Sequence, residues 1–340
     1  MTCAGTAMRA VWYRRHGPAH EVLETGDQPM PAPGEGEFLV RLHASAVNPA
    51  DCNRRAGRGH AMEAPLVIPH SDGAGIVVAT GPEADPSWRG RRVWLYNAQR
   101  GRAFGTAAQY VAIDGSLVAP LPDDLSFAQG ACLGIPCMTA WCALFGDGSL
   151  EGRTVLVTGG AGAVGHYAVQ LARWAGAQVL ATVRSAEQAQ IAVAAGAHRA
   201  FEAGDPALVE RLLEAAGAAG IDRAVDVDFG PNLPVMSRVL ATNGTIVAYA
   251  SRGNEEPVLP FYPLLRRNVR LHAFYLATLP AGARRAAQEG IVGWLRTGRR
   301  EHRVAACFPL ERTADAHRAV EVGGKQGTVV VAIGDGTCVS

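Results

Sequence analysis

Residues 155–165 read Val155-Leu156-Val157-Thr158-Gly159-Gly160-Ala161-Gly162-Ala163-Val164-Gly165. The aliphatic run predicts a buried strand, and Gly160, Gly162 and Gly165 follow the spacing Gly-x-Gly-x-x-Gly. Glycines let the backbone approach a pyrophosphate closely, and the helix that opens here offers unpaired N–H groups. With a strand before it and a helix after it, the pattern predicts a dinucleotide-binding turn. The alternative is a tight strand-to-helix turn that binds nothing.

Strands and helices alternate after this turn. The predicted elements are helices over 164–174, 186–195, near 206–216 and near 233–240, and strands over 178–183, 223–228, 245–250 and 269–276. This alternation is typical of βαβ units, in which parallel strands are joined by crossover helices. The sequence therefore predicts an α/β protein with a doubly wound parallel sheet of about six strands, the Rossmann arrangement.

The first 125 residues have a different rhythm. Short β-type runs at 9–13, 37–46, 75–80, 92–95 and 108–113 are broken by Pro and Gly. They predict an irregular, largely antiparallel β domain. A helical stretch over 127–145 follows, in which Pro136 and several glycines indicate a buried pair of helices. After a helix near 281–297 the β-type rhythm returns at 304–308 and 328–333, with a helix near 313–321. The predicted domains are residues 1–127 with 300–340, and residues 128–299.

Composition narrows the functional classes. Lys and Arg total 32 and Asp and Glu total 31, which gives a formal charge of +1 and predicts no nucleic-acid or membrane partner. Seven cysteines show no pattern of close pairs, and residues 1–8 lack the basic and apolar regions of a secretory signal. These features predict a cytoplasmic protein.

The choice between NAD and NADP depends on the end of the second strand. An acidic residue there would bind the ribose hydroxyls and repel a 2′-phosphate, but none occurs between Gly165 and Glu187. Arg184 and Ser185 stand there instead and offer a guanidinium and a hydroxyl to a phosphate. NADPH is therefore predicted as the cofactor. The alternative is that Arg184 is a solvated loop residue.

Several segments, in this order and spacing, resemble the zeta-crystallin-like quinone oxidoreductases of the medium-chain dehydrogenase/reductase superfamily. They are the glycine turn, Ala46-Val47-Asn48-Pro49-Ala50-Asp51, Pro69-His70-Ser71-Asp72-Gly73-Ala74-Gly75, Gly105-Thr106-Ala107-Ala108-Gln109-Tyr110-Val111, Leu121-Pro122-Asp123-Asp124-Leu125-Ser126, Thr139-Ala140 and Asp315-Ala316-His317. The resemblance implies a GroES-like, β-rich catalytic domain joined to a Rossmann domain.

The resemblance also indicates whether zinc ligands are present. Zinc alcohol dehydrogenases of this superfamily carry a Cys where Asn48 stands and a His where Ser71 stands. The cysteines of a structural zinc lobe are missing too, because no cysteine occurs between Cys52 and Cys132. A zinc-free enzyme is therefore expected, with no metal-binding residues.

The resemblance also implies which residues bind the cofactor. Backbone near the glycine turn would contact the pyrophosphate, and Arg184 and Ser185 would lie near the adenosine phosphate. The complete implied set is Thr139, Ala161, Gly162, Ala163, Val164, Arg184, Ser185, Ser251, Arg252, Phe274 and Tyr275. For the side chains of Phe274 and Tyr275, core packing is an equal alternative.

Chemistry favours an acceptor that needs little activation. Alcohol oxidation requires a Lewis acid or a tuned base, whereas a quinone already accepts hydride readily. The predicted activity is hydride transfer from NADPH to a quinone. Two alternatives stay open: reduction of an activated C=C bond in an enal or enone, and a non-enzymatic, crystallin-like role in NADPH binding.

Three polar residues are candidates at the substrate. Asn48 is predicted to bind a substrate oxygen or to fix the nicotinamide. Asn53 and His60 are nearby candidates, where the resemblance implies tyrosines in relatives. His60 would protonate the product, unless it is a solvent-facing loop residue.

The last predicted strand of the Rossmann sheet, over residues 269–276, is apolar along most of its length. An exposed apolar edge strand favours pairing with another chain. The sequence therefore predicts a homodimer formed through this strand.

Overall fold

The structure is a computed structural model that describes residues 7–59, 61–62, 64–297 and 300–334. The chain divides into two compact units, one containing residues up to 135 and from 292 onward, the other residues 136–291. The sequence-based boundaries at 127 and 300 stay predictions. The two-part α/β architecture predicted from the sequence is confirmed.

Within the described residues, the first unit contains nine strands. They are β1 (Ala7–Trp12), β2 (Glu24–Pro29), β3 (Glu37–Val47), β4 (Asp72–Thr80), β5 (Arg92–Leu95), β6 (Tyr110–Asp114), β7 (Val118–Pro120), β14 (Val304–Pro309) and β15 (Thr328–Ala332). Its helices are α1 (Ala19–Val22), α2 (Pro49–Arg55), α3 (Phe127–Ala131) and α11 (Thr313–Val322).

A seven-stranded sheet organises this unit. The order is β14-β15-β3-β4-β5-β7, and β6 pairs with β3. All neighbours are antiparallel except β14 and β15. The eleven-residue β3 is central because it pairs with β15, β4 and β6, and nearly all of its side chains are at least partly buried. The C-terminal strand β15 thus completes a sheet begun by the first half of the chain.

The second unit contains the alternating elements. Its strands are β8 (Thr154–Thr158), β9 (Gln178–Val183), β10 (Arg199–Glu202), β11 (Ile221–Asp226), β12 (Leu240–Ala248) and β13 (Arg270–Ala273). Its helices are α4 (Met138–Phe145), α5 (Ala163–Trp174), α6 (Ala186–Ala194), α7 (Leu208–Ala216), α8 (Phe229–Val239) and α9 (Phe261–Arg266). Helix α10 (Ala281–Leu295) runs across residue 291.

The six strands form one parallel sheet in the order β10-β9-β8-β11-β12-β13. The order reverses between β8 and β11, so the carboxyl ends of these two strands flank the position where open α/β sheets bind ligands. Strand β8 is buried along its whole length, as the aliphatic run at 155–157 predicts. The predicted Rossmann sheet is confirmed.

The helical stretch over 127–145 contains two helices, α3 and α4, which are separated where Gly134 has non-helical backbone angles and Pro136 follows it. One expectation needs correction. The edge strand predicted over 269–276 is only β13, because its neighbour β12 ends at Ala248 and the chain then turns into a short 3₁₀ segment at Leu276–Thr278.

The oxidation state of the cysteines and the lengths of the helices are relevant to the predicted location and to the predicted lack of a membrane partner. Cys52, Cys132, Cys137 and Cys142 are free thiols, whereas Cys307 is disulfide-bonded. Burial raises the pKa of the Cys132 thiol to about 12. In the described ranges, every helix is too short or too polar to cross a bilayer.

Candidate active site

The glycine turn is closely packed on all sides. A Cβ on Gly160 would lie 2.8 Å from the Cβ of Ala181, and a Cβ on Gly165 would lie 2.8 Å from the carbonyl carbon of Gly159. Gly159 itself has a φ of 66°, a left-handed conformation that glycine adopts without strain. The N–H of Gly160 donates to the carbonyl of Thr182, which ties the turn to the end of β9. Side chains at these positions would push the turn out of place.

The turn leads directly into α5. Gly162 is the N-cap residue, and no side chain caps the helix. The first N–H groups of a helix have no partner within it, and the helix dipole makes this end attractive to anions. The backbone at Ala163 and Val164 therefore presents donors that fit a pyrophosphate. This arrangement matches the one predicted for the turn.

Arg184 and Ser185 follow β9, the next strand of the sheet. Arg184 is exposed, and its side chain forms no ion pair with any residue that the structure describes. Ser185 is the N-cap of α6, where its hydroxyl oxygen accepts from the N–H of Gln188 at 3.3 Å. The hydroxyl hydrogen stays available to an acceptor. A guanidinium and a hydroxyl next to a helix N-terminus are the donors that a phosphate monoester requires.

Ser251 and Arg252 lie in the loop after β12, and a second loop fixes their backbone. The carboxylate of Asp228 accepts from the N–H of Gly253 at 2.9 Å. The hydroxyl of Ser251 accepts from the N–H of Gly230 at 2.8 Å and donates to the carbonyl of Asn254. The arginine side chain itself is exposed. The loop that carries it is thus preorganised by residues that follow β11.

A buried carboxyl lies where the order of the strands reverses. Asp226, at the end of β11, accepts from the hydroxyl of Thr158 at 2.6 Å and from the side-chain amide of Asn232 at 2.8 Å. Burial is the main reason that the pKa of Asp226 is raised. The hydroxyl of Thr158 also accepts from the N–H of Val227 at 2.9 Å. These contacts join the end of β8 to the start of the loop at 227–230.

The other predicted cofactor residues lie in the same unit. Thr139 is buried within α4. The backbone N–H of Phe274 donates to the carbonyl of Ala248 at 3.1 Å, and its half-buried ring lies near His272. Tyr275 is 49% exposed, so its side chain is not part of the core. The core-packing alternative therefore does not hold for Tyr275.

In the first unit, Asn48 precedes α2 and anchors the start of this helix. Its backbone N–H donates to the carboxylate of Asp51 at 2.8 Å, and Pro49 occupies the first helical position. The other carboxylate oxygen of Asp51 accepts from the hydroxyl of Ser71 at 3.1 Å. Burial raises the pKa of Asp51, although the nearby Arg54 opposes this shift. Asp51 therefore pins the loop that presents Asn48.

The side chain of Asn48 binds a second carboxyl. Its Nδ2 donates to Oδ2 of Asp72 at 2.7 Å, and Oδ2 also accepts from the N–H of Ile135 at 2.8 Å. Asp72 is fully buried at the start of β4, and burial raises its pKa well above the ordinary value. The orientation of the Asn48 amide is therefore set by Asp72.

His70 and His317 form a buried pair beside this site. Their Nε2 atoms are 2.9 Å apart, and Nδ1 of His70 is 2.8 Å from the hydroxyl of Ser45. Burial lowers the pKa of His70 to about 3 and holds that of His317 well below its ordinary value, so both imidazoles are neutral at pH 7. One Nε2 must carry the hydrogen that joins the two rings. Among the described residues, no three His, Cys, Asp or Glu side chains gather as metal ligands.

The remaining substrate candidates are less enclosed. Asn53 is half-buried on α2, where its Oδ1 accepts from the guanidinium of Arg58 at 3.4 Å. His60 lies outside the described residues, so its role stays a prediction. Asn48 is thus the predicted substrate residue with the most defined surroundings.

Sequence reasoning missed the carboxyls that support these loops. Asp72 lies within the segment that carries the resemblance, Asp226 ends β11 at the reversal of the sheet order, and Asp228 lies two residues beyond that strand. A signal was available for Asp72, which stands between Ser71 and Gly73. Acidic residues next to Asn, Ser or Gly at strand ends can order a loop by accepting hydrogen bonds from it.

Two family models match the chain. The first, "Alcohol dehydrogenase GroES-like domain", matches residues 34–123, and the second, "Zinc-binding dehydrogenase", matches residues 163–289. Together they span more than half of the sequence. They assign the GroES-like fold to the β-rich unit and a dehydrogenase fold to the unit with the parallel sheet.

Individual relatives agree with this assignment. Quinone oxidoreductase from Sus scrofa is 31% identical over 320 residues, which are 92% of this chain and 94% of the relative. A 2-methylene-furan-3-one reductase from Solanum lycopersicum is 32% identical over 201 residues, covering 57% of this chain and 52% of the relative.

Solved structures resemble the whole chain. A mycobacterial protein complexed with NADPH is 26% identical, with a TM-score of 0.84 over 96% of this chain and 100% of that one. An NAD-dependent alcohol dehydrogenase is 28% identical, with a TM-score of 0.86 over the same shares. The fold, the matched domains and the identity to the pig enzyme agree, and the chain therefore belongs to the zeta-crystallin-like quinone oxidoreductase family of the medium-chain dehydrogenase/reductase superfamily.

Proposed function

We propose that this protein is an NADPH-dependent reductase that passes hydride to a quinone without a metal ion. One observation carries the proposal: a glycine turn that admits no side chains leads into an uncapped helix N-terminus. The pig relative is named a quinone oxidoreductase, and the mycobacterial structure contains NADPH. Both likenesses extend over more than nine-tenths of this chain.

The cofactor would be held by residues of the second unit. The backbone at Ala161, Gly162, Ala163 and Val164 would bind the pyrophosphate, because this end of α5 offers donors and a favourable dipole. Arg184 and Ser185 would bind the 2′-phosphate, and the ordered loop at Ser251 and Arg252 would close on the same side of the sheet. Thr139, Phe274 and Tyr275 would border the nicotinamide.

The two residues at the zinc-ligand positions of the superfamily support chemistry without a metal. Asn48 and Ser71 occupy the positions of zinc ligands in the alcohol dehydrogenases of the superfamily. The Asn48 amide donates to Asp72, and the Ser71 hydroxyl donates to Asp51. An amide and a hydroxyl that already serve as hydrogen-bond donors are not a zinc ligand set.

The substrate side depends on orientation. NADPH supplies the hydride when it is bound, and a quinone accepts it without activation. Asn48, whose side chain contacts Asp72 and Asp51, would donate an amide N–H to the substrate oxygen that gains negative charge. Asn53 is the second polar candidate on the same helix. The chain's contribution is then to hold the acceptor in place and to stabilise the developing charge.

A second activity is favoured by one observation. The tomato relative is named a 2-methylene-furan-3-one reductase, and its aligned region covers 57% of this chain. Reduction of an activated C=C bond would use the same cofactor site, and Asn48 would again donate a hydrogen bond to the substrate oxygen. Enals and enones are therefore the alternative substrate class.

We also propose a homodimer formed through β13. All four residues of this edge strand are exposed, and Leu271 is 43% exposed. The preceding segment also exposes large apolar side chains, among them Val258 at 92% and Tyr262 at 64%. An open strand edge with apolar neighbours is the type of surface that a second copy covers.

We propose a cytoplasmic location as well. The four free thiols favour a reducing compartment, whereas the disulfide at Cys307 opposes it. Fractionation of cells that express the protein would decide between these indications.

Turnover tests the proposed function. NADPH is mixed with 1,2-naphthoquinone, then with a 2-alkenal, and the loss of nicotinamide absorbance is followed. Rapid loss with the quinone supports quinone reduction, and loss with the alkenal alone supports the alternative. Asn48→Ala should bind NADPH normally and turn over slowly. NADPH binding without turnover on either acceptor would contradict both activities and favour a binding role.

A further inference from the structure

The Asp72 side chain is fully enclosed by the protein. None of its surface is exposed, whereas its partner Asn48 is 5% exposed. The backbone of Gly134 packs directly on it, so that a Cβ at this glycine would lie 2.7 Å from the Cβ of Asp72. Asn48 therefore keeps a small exposed surface, whereas Asp72 has none. Any effect of Asp72 on the reaction must pass through Asn48.

The hydrogen bonds of Asp72 are one-sided. Oδ2 accepts from the Asn48 amide at 2.7 Å and from the N–H of Ile135 at 2.8 Å. Oδ1 is buried and accepts from no residue that the structure describes. Leaving an ionised oxygen in this state costs far more than leaving a neutral one, because the charge loses its hydration. The geometry thus fits a neutral carboxyl in which Oδ2 is the carbonyl-like acceptor.

The charges around Asp72 point the same way. The titratable groups that act on it in the described part of the chain are Asp51 on α2 and the thiol of Cys132, which follows α3. Neither is a cation. Asp51 differs because Arg54 lies beside it and both of its oxygens accept hydrogen bonds. Of the two neighbouring carboxyls, Asp51 is the one equipped to carry a charge.

We infer that Asp72 is a positioning residue that stays a neutral carboxylic acid and fixes the amide of Asn48. Oδ2 holds one N–H of the Asn48 amide, and Asp51 also accepts from this side chain, so a substrate oxygen would take over the N–H that Asp51 holds. This inference rests on the proposed role of Asn48. A carboxylate at the same place would oppose the negative charge that the substrate oxygen gains as hydride arrives. A neutral Asp72 therefore avoids repelling the negative charge that develops on the substrate oxygen.

The protonation state can be read directly by ¹³C NMR. The full-length protein is labelled at the aspartate side-chain carbons, and the signal lost in Asp72→Asn identifies the residue. We expect this signal to show a protonated carboxyl at neutral pH. A carboxylate signal for Asp72 at pH 7 would overturn the inference. Asp114→Asn serves as the control, because this carboxyl is exposed at the end of β6 and its loss should leave the Asp72 signal in place.

Kinetics test the positioning role. Asp72→Asn keeps a neutral acceptor, and we expect kcat for the quinone within about 3-fold of the native value, since the lost interaction is small. Asp72→Ala removes the acceptor and should lower kcat about 10-fold to 100-fold while the Kd for NADPH stays unchanged. Asp114→Asn, on the exposed end of β6, is the matched control.

The two failures can be told apart. Native kcat in Asp72→Ala, or an equal loss in both variants, would refute the positioning role. If the native protein shows no turnover with quinone or alkenal, the proposed function fails, but the NMR signal still reports whether Asp72 is neutral. If Asp72→Ala does not fold, the NMR signal and Asp72→Asn still decide the question.

Discussion

Replacing Gly165 with Ala should weaken NADPH binding without unfolding the protein. The added Cβ would lie 2.8 Å from the carbonyl carbon of Gly159 and 3.0 Å from the Cα of Gly160. Carbon atoms in contact prefer about 3.5–4.0 Å, so the turn and the start of α5 must separate by roughly 1 Å. That shift moves the N–H groups at Ala163 and Val164 away from the pyrophosphate. Each charge-assisted hydrogen bond contributes about 1.5–3 kcal/mol.

Loss of one such bond raises the Kd about 10-fold to 100-fold. The Kd is measured by titrating the fluorescence of NADPH, and circular dichroism checks the fold. Gly282→Ala in α10 is the matched control, because no heavy atom lies within 4 Å of its added Cβ. A native Kd in Gly165→Ala would refute the reasoning, since it would mean that the pyrophosphate does not depend on this turn.

Four further outcomes are expected. Arg184→Ala should raise the Kd for NADPH about 10-fold or more and leave the Kd for NADH unchanged, because only the 2′-phosphate loses a partner. Both constants are measured by calorimetry, and an equal rise in the two would contradict this prediction. Asp228→Ala frees the N–H of Gly253 and should weaken NADPH binding by about 1 kcal/mol, measured by the same titration, while unchanged affinity would show that the loop orders itself. Leu271→Glu should give a monomeric mass in light scattering if β13 pairs with its copy, and a persistent dimer would exclude this edge. The raised pKa of Asp72 means that the folded protein keeps a proton that the unfolded chain releases above its ordinary pKa of about 4. The free energy of unfolding of the native protein should therefore fall relative to that of Asp72→Asn as pH rises above this value, by up to about 1.4 kcal/mol per pH unit until the folded pKa is reached. Denaturant titrations at several pH values measure both free energies, and a difference that does not change with pH would refute the prediction.

The sequence identified the parts of the fold that depend on periodicity. The aliphatic run at 155–157 and the spacing of Gly160, Gly162 and Gly165 placed β8, the turn and the start of α5 within a residue or two. Strand β10 was not assigned because Arg199–Glu202 is too short and mixed to show alternation. Two helices over 127–145 were expected because Pro136 and several glycines interrupt the apolar run, and the structure adds that Gly134 packs against Asp72.

The supporting carboxyls escaped prediction for a different reason. An acidic residue in a sequence is read as solvated, since charged side chains are almost never buried without a partner. Asp72 and Asp226 are buried, and their partners are neutral: amides, a hydroxyl and backbone N–H groups of nearby loops. Neutral donors order a loop without adding positive charge, so the carboxyl can stay protonated and the site stays uncharged. Asn48 in the first unit is thus held by the buried Asp72, and Thr158 and Asn232 in the second unit are held by the buried Asp226.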